Sequence, residues 1–260
     1  MTRDKYTFGD GDRASARLRR LAEIYEPETR DLLRRGGIPG ARLAVDLGCG
    51  PGWTTRLVLD ELRPAQVIGL DASERYLAEA RQRHGEGCRF EQHDVTQAPF
   101  PVAGPDLLFC RFLLTHLREL RAVLTTWASV AAPDARLLVH ETERLESDHP
   151  ALQTYYRRVG ELQAHYGQVL NVGELLDQSF AGTAWKVVES RTVMLDKPAA
   201  SMAELHLENL RTWRTDPFAQ SAFDRVELDG LERDLTRIVR GEVDAGLVRN
   251  PARQLVAVRT

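Results

Sequence analysis

The chain has 260 residues, of which 43% are hydrophobic and 28% charged, as in an ordinary globular protein that buries a substantial core. Its 35 basic and 38 acidic side chains leave a formal net charge of −3, so we expect no nucleic-acid partner. No apolar run approaches the ~20 residues of a membrane helix, and the polar start of the chain predicts no signal peptide. The three cysteines form no C-x-x-C pair, which favours reduced thiols and a cytoplasmic location.

The first part of the chain predicts a helical lid over about residues 1–35. Residues 1–12 are polar and predict a mobile arm. Residues 13–35 have apolar side chains at helical spacing, and Pro27 predicts a break between two helices.

The middle of the chain, about residues 41–143, alternates short apolar runs with amphipathic stretches. Strands are predicted over 41–48, 66–72, 88–95, 105–112 and 135–142, with helices over 54–63, 73–84 and 117–131. Such alternation predicts parallel pairing in a doubly wound α/β sheet.

The remainder of the chain loses this regular alternation. We predict helices over 150–166 and 173–181, a sixth strand over 184–195, mostly helix over 201–245 and a last strand over 254–259. The whole chain, 1–260, is therefore predicted to be one α/β domain with a mostly parallel seven-stranded sheet. Helical insertions at about 146–180 and 196–250 would form a cap.

A glycine-rich loop follows the first predicted strand. Its pattern is D-x-G-x-G-x-G, from Asp46 through Gly48 and Gly50 to Gly52. Glycines are needed where a ligand approaches the backbone closely or φ is positive. The carboxyl end of the first strand is where open α/β sheets bind ligands. The loop therefore predicts a ligand site, although a glycine turn that only lets strand and helix pack remains the alternative.

The spacing of the glycines distinguishes between ligands. The dinucleotide pattern G-x-G-x-x-G requires a glycine where Trp53 stands, and the lysine of a phosphate-binding P-loop is absent. The segment resembles motif I of class I S-adenosylmethionine-dependent methyltransferases of the small-molecule type, and the likeness covers about residues 42–143. The resemblance implies a Rossmann-like fold, S-adenosylmethionine as the cofactor and methylation of an O, N or C atom of a small metabolite.

Two acids after later strands agree with this resemblance. Asp71, 23 residues after Gly48, suits the ribose hydroxyls, as in other nucleoside-binding sheets. The resemblance places Asp94 at the adenine amine and Val95 on the ring, although Asp94 could also be a turn residue. It implies that Asp46 holds the cofactor's ammonium group, directly or through water. The other residues it places at the cofactor are Arg17, Cys49, Ala72 and Arg111, together with the loop glycines; for Arg17 a plain surface position is the alternative.

The segment after the fourth strand is expected to face the reacting methyl group. His116 is the candidate general base there, because its ordinary pKa of about 6.5 suits proton removal near neutrality. The alternative is a histidine that caps a helix starting at Leu117. Of His140 and Glu141, strand alternation allows at most one to face the substrate. Aromatic residues of the first cap helix would line a substrate pocket or only pack there; these are Tyr155, Tyr156, His165 and Tyr166.

Other functions remain open at this point. Arg111 stands where catechol-type enzymes place a metal-binding acid, so no metal is expected. A protein of the same fold could bind S-adenosylmethionine without methylating, for example in a cyclisation. An NAD(P)-dependent oxidoreductase is disfavoured by the glycine spacing. We expect a small-molecule substrate, no membrane partner, and a monomer or homodimer.

Overall fold

The computed structural model describes residues 12–260, with side chains from Ala14 onward. The arm predicted over residues 1–12 thus lies outside the described residues, apart from its last residue. Two helices follow, α1 (Asp12–Ile24) and α2 (Glu26–Gly36). They separate at Tyr25 because Pro27 occupies the first turn of α2, where a missing N–H costs nothing.

Seven strands form one sheet in the order β3-β2-β1-β4-β5-β7-β6. Their bounds are β1 Leu43–Leu47, β2 Gln66–Asp71, β3 Arg89–Gln92, β4 Leu107–Arg111, β5 Arg136–Thr142, β6 Trp185–Pro198 and β7 Leu247–Arg259. The first five strands pair in parallel, while β7 runs antiparallel to both β5 and β6. The predicted seven-stranded, mostly parallel sheet is confirmed.

Helices cover both faces of this sheet. The helices between strands are α3 (Trp53–Leu62), α4 (Glu74–His84) and α5 (Leu120–Val130). Side chains alternate along β1, so Val45 packs in the cluster with Trp127 of α5 and Ala44 in the cluster with Val58 of α3. The sheet is therefore buried on both sides, as its continuous apolar strands require.

The helices outside the sheet core that follow β5, here called the cap, lie in two stretches of the chain. It consists of α6 (Pro150–His165), α7 (Leu176–Ser179), α8 (Ala199–Trp213), α9 (Pro217–Ala222) and α10 (Arg225–Val239), with a short 3₁₀ helix (Val172–Leu175) before α7. The helices α6, α8 and α10 share a core of their own around Leu152, Leu210 and Leu235. We retain the division into lid, sheet core and cap within one domain as a proposal. Among residues 12–260, no helix combines the length and apolarity needed to cross a bilayer.

The last two strands are longer than predicted. They pair along their whole lengths, from Pro198 opposite Leu247 to Trp185 opposite Arg259. The extension of β7 carries polar residues such as Arg249 and Asn250, so hydrophobic alternation does not reveal it.

Candidate active site

A cavity of about 490 Å³ lies at the carboxyl ends of the parallel strands, beneath α1, α6 and α8. This volume is within the ~300–1,000 Å³ usual for small-molecule sites. Of the residues predicted for the site, only Asp46 and Gly52 do not line it. The wall contains Arg17, Gly48, Cys49, Gly50, Asp71, Ala72, Asp94, Val95, Arg111 and His116. The predicted site residues are therefore brought together in one place.

The glycine loop forms one end of the cavity. Gly48, Gly50 and Gly52 have φ of 68°, 52° and 83°, a region that other residues rarely adopt. A Cβ on Gly48 would lie 2.7 Å from Leu113 Cδ1, whereas one on Gly52 would lie 2.8 Å from the ring of Phe90. Gly52 thus serves the packing of loop against sheet, and Gly48 and Gly50 form the cavity wall.

Asp71 ties the loop to the second strand. Its Oδ2 accepts a hydrogen bond from Gly50 N and its Oδ1 accepts one from Ser73 N, both at 2.8 Å. A carboxylate has about four acceptor sites, and that of Asp71 lines the cavity. The same Ser73 is the N-cap of α4 and accepts a hydrogen bond from Tyr76 N. A nucleoside diol fits this arrangement.

Asp94 is a turn residue that also lines the cavity. Its Oδ1 accepts hydrogen bonds from Thr96 N at 3.0 Å and Thr96 Oγ1 at 2.7 Å, which is the geometry of a turn residue. It also lines the cavity beside the buried Val95. The turn therefore fixes the carboxylate at the cavity wall.

The structure does not place Asp46 at the cavity. Alternation along β1 puts it on the side covered by α3, where its Oδ2 accepts hydrogen bonds from Thr54 Oγ1 at 2.6 Å and Thr55 Oγ1 at 2.7 Å. Burial raises its pKa to about 6. Thr54 does line the cavity, so a contact from Asp46 to a ligand would pass through this hydroxyl or through water.

His116 ends a 3₁₀ helix, Leu114–His116, and lines the cavity. Burial, with a smaller contribution from the charge of Arg17, lowers its pKa to about 3. A base this weak is poorly matched to proton removal near neutrality, which argues against the predicted general-base role. The capping alternative also fails, because α5 starts at Leu120 with Glu119 at its N-cap.

Glu141, at the end of β5, is fully buried and lines the cavity. Its Oε1 accepts hydrogen bonds from Leu113 N at 2.8 Å and Leu114 N at 2.7 Å, while Oε2 has no partner among residues 12–260. Burial raises its pKa to about 8, so the group can hold or release a proton near neutrality. Its neighbour His140 does not line the cavity and lies against the rings of Tyr25 and Phe112. One of the pair faces the cavity, as alternation predicts.

The cap supplies the other end of the cavity. Its lining residues are Tyr155, Val159 and Gln163 on α6, and Met202, Leu205, His206 and Asn209 on α8. Of the aromatic candidates on and after α6, only Tyr155 lines the cavity. Tyr156 hydroxyl is 3.0 Å from His206 Nε2, and His165 stacks on Phe218 at 3.9 Å. The α8 residues were missed because their helical spacing is equally typical of a core stripe.

Three buried histidines make stability dependent on pH. Burial lowers the pKa of His116, His140 and His206 to about 3 each. Below pH 6.5 the histidines of the unfolded chain bind protons that those of the folded chain exclude. Each histidine thereby lowers the free energy of unfolding by about 1.4 kcal/mol for every pH unit of acidification. Asp46 and Glu141 have raised pKa values, so their contribution is present at low pH and is lost as pH rises through about 6 and about 8.

We therefore expect the free energy of unfolding to be greatest between about pH 6 and 7 and to fall steeply toward pH 4. Urea unfolding across this range measures it. His206→Gln should make the acid slope shallower by about 1.4 kcal/mol per pH unit, the contribution of one histidine. Replacing the exposed His165 is the control and should leave the slope unchanged. Equal stability at pH 4 and pH 6.5 would contradict this prediction.

The comparisons with known proteins agree with this geometry. Residues 44–134 match a family described as a methyltransferase domain. The similarity to class I methyltransferases thus extends over residues 44–134. The predicted resemblance to this S-adenosylmethionine-dependent class is thus confirmed. Across the described residues no cluster of metal-ligating side chains occurs, and the expected absence of a metal stays a prediction.

Two relatives of the methyltransferase domain show how far the similarity extends. A trans-aconitate 2-methyltransferase of Methylobacterium nodulans is 36% identical over 147 residues, which are 56% of this chain and 55% of that protein. This chain therefore spans about half the length of such relatives. One of Delftia acidovorans is 28% identical over 243 residues, covering 87% and 88%.

Solved structures show the same fold around the methyltransferase domain. Phosphoethanolamine N-methyltransferase 2 of Haemonchus contortus, solved with S-adenosylhomocysteine, has a TM-score of 0.61 at 16% identity and covers 100% of this chain and 60% of its own. The [4+2]-cyclase SpnF has a TM-score of 0.58 at 17% identity, covering 91% and 82%. At identities this low, the structural similarity shows the shared Rossmann-like fold alone.

Proposed function

We propose that the protein is an S-adenosylmethionine-dependent methyltransferase that acts on a small molecule in the cytoplasm. One observation carries this proposal: a single cavity joins the glycine loop of the methyltransferase domain to a pocket under the helical cap. S-adenosylmethionine would supply a methyl group on a positively charged sulfur. The cavity provides room for this cofactor at one end and for a methyl acceptor at the other.

The residues at the loop end fit the cofactor by their chemistry. Gly48 and Gly50 leave the backbone accessible, since neither carries a Cβ that would fill the cavity wall. Asp71 offers acceptors for the ribose hydroxyls, and Asp94 with Val95 offers an acceptor and an apolar surface for adenine. Arg17, on α1, is buried at the cavity wall, where we propose that it meets the cofactor carboxylate.

The cap end would orient the acceptor and exclude water. Holding a nucleophile in line with the methyl carbon can by itself supply a large part of the rate. The names of the sequence relatives make trans-aconitate the first acceptor to assay. Any proton released on methylation needs an acceptor, and Glu141, whose pKa burial raises to about 8, lines the cavity.

A second function follows from the similarity to a [4+2]-cyclase. In that case the cofactor would be bound but not consumed, because fold alone does not fix function. Formation of S-adenosylhomocysteine in the presence of an acceptor separates the two. Its absence with every acceptor, together with tight cofactor binding, would favour the non-methylating role.

Asp71→Ala tests the cofactor site. We expect S-adenosylhomocysteine affinity to fall about 10- to 100-fold, since buried hydrogen-bonding partners left unpaired cost ~1–3 kcal/mol. Isothermal titration calorimetry measures it. Asp60→Ala is the matched control, because Asp60 only forms an i,i+4 ion pair with Arg56 on the surface of α3. Heat of binding for NAD(H) but not for S-adenosylhomocysteine would overturn the proposed function.

A further inference from the structure

The cap presents an uncharged surface to the cavity. The side chains of α6 that line it recur every four residues, at 155, 159 and 163, and those of α8 lie at 202, 205, 206 and 209. Each set therefore lies on one face of its helix. None of these side chains carries a formal charge at neutral pH, because burial lowers the pKa of His206 to about 3.

The same two helices are rich in charge on their other faces. Arg158 of α6 forms an ion pair with Glu227 at 2.6 Å, and Arg211 of α8 forms one with Glu232 at 2.8 Å. The remaining charged residues, Arg157, Glu161, Glu204 and Glu208, also do not line the cavity. Charge is thus kept off the cavity face although the helices carry it.

Polar groups on the cavity face are left for a ligand. Gln163 Oε1, His206 Nδ1 and Asn209 Oδ1 are buried and have no partner among residues 12–260. Gln163 is 1% exposed and His206 3%. Buried polar atoms are normally paired, so unpaired ones in side chains that line a cavity indicate that these side chains turn toward a bound group. Amides both donate and accept, which suits a hydroxyl, carbonyl or amide.

Cations are scarce in the described lining. It contains Arg17 and Arg111, and Arg111 donates to Thr29 Oγ1 at 2.8 Å. The two buried histidines of the lining, His116 and His206, are neutral because burial lowers the pKa of each to about 3. One of these two guanidiniums is proposed to pair with the cofactor carboxylate. The positive charge that remains in the described lining is too small to pair with the three carboxylates of a buried tricarboxylate acceptor. An unpaired buried charge is far more costly than an unpaired polar group.

We propose that the methyl acceptor is a mainly apolar small molecule whose cap-facing part is uncharged and hydrogen-bonds to Gln163, His206 and Asn209. This inference rests on the proposed function and narrows its substrate class. Tyr155, Val159, Met202 and Leu205 pack around the apolar part. The described cap face has no charged side chain to pair with a polycarboxylate, so we expect the acceptor to differ in charge from trans-aconitate.

A fragment screen on the full chain tests this substrate class. The protein is first saturated with S-adenosylhomocysteine. If it does not bind this compound, the proposed function is contradicted and not the substrate class. Neutral phenols, aryl ketones and benzamides are then compared with di- and tricarboxylates of similar size, including trans-aconitate and citrate, by saturation-transfer NMR at 1 mM. We expect several-fold more hits among the neutral probes. An equal or larger hit rate for the carboxylates would overturn the inference.

Substitutions in the cap test whether the neutral fragments bind at its cavity face. The double variant Gln163→Leu with Asn209→Leu should weaken the best neutral hit at least 10-fold, while S-adenosylhomocysteine binding stays within twofold and reports on folding. Asn209→Ser is the milder variant if the double one does not fold. Gln220→Leu makes the same chemical change at an exposed position of α9 and should have no effect. Unchanged affinity of the neutral hit in folded cap variants would also overturn the inference.

Discussion

Glu141→Gln is expected to lower kcat by about 10²–10⁴-fold, the usual cost of losing a group that handles a proton in the transition state. The reason is local: the Glu141 side chain lines the cavity, its Oε1 accepts from two backbone N–H groups after β4, and its Oε2 is buried without a partner in the described chain. Glutamine keeps the shape and the accepted hydrogen bonds but cannot exchange a proton. Methyl transfer to an acceptor, measured across pH 5–9, provides the test.

The pH profile distinguishes this role from a structural one. The native enzyme should lose activity as pH falls through about 8, because burial raises the pKa of Glu141 to that value and protonation removes the base. The variant should lack that step. His116→Gln is the comparison and should cost less than tenfold, since its pKa near 3 makes it a weak base. The reverse order of effects would restore His116 as the base.

Gly48→Ala is expected to weaken S-adenosylhomocysteine binding at least 30-fold. Its φ is 68°, and the new Cβ would lie 2.7 Å from Leu113 Cδ1. The side chain of Leu113, which lines the cavity, must then shift. The substitution therefore disturbs the cofactor loop and the adjoining cavity wall, in addition to the ~1–3 kcal/mol of backbone strain.

Gly40→Ala is the matched control for this glycine. Gly40 has the same φ of 68°, but nothing lies within 4 Å of its Cβ position. Both variants should lose similar stability from strain, and only Gly48→Ala should lose affinity. Calorimetry with thermal unfolding of both proteins measures the two quantities. Equal affinities in the two variants would contradict the assignment of Gly48 to the cavity wall.

Much of the sheet follows from local sequence. The early strands are short apolar runs between amphipathic helices, and this alternation predicts their order and parallel pairing. The ends of elements are less certain: α5 begins at Leu120 and not at 117, because Glu119 is its N-cap. Such boundaries depend on local capping geometry, which periodicity does not contain.

The site is only partly contained in the sequence. Spacing after each strand correctly brings Asp71 and Asp94 to one edge of the sheet, since parallel strands end there together. Spacing does not predict that Thr54 and Thr55 of α3 donate hydrogen bonds to Asp46, because this depends on which helix covers the strand. The cap residues Gln163 and Asn209 come from helices far apart in the chain, and only their tertiary packing shows that they share a cavity.

The position of β7 bears on how the protein is made. This strand lies between β5 and β6 and forms a ladder with each of them, although the whole cap separates it from β5 in the chain. On the ribosome, β5 therefore waits with an open edge until residues 247–259 emerge, and such edges readily pair with other chains. The cap is synthesised during this interval, so chaperones that shield nascent strands should raise the yield of folded protein.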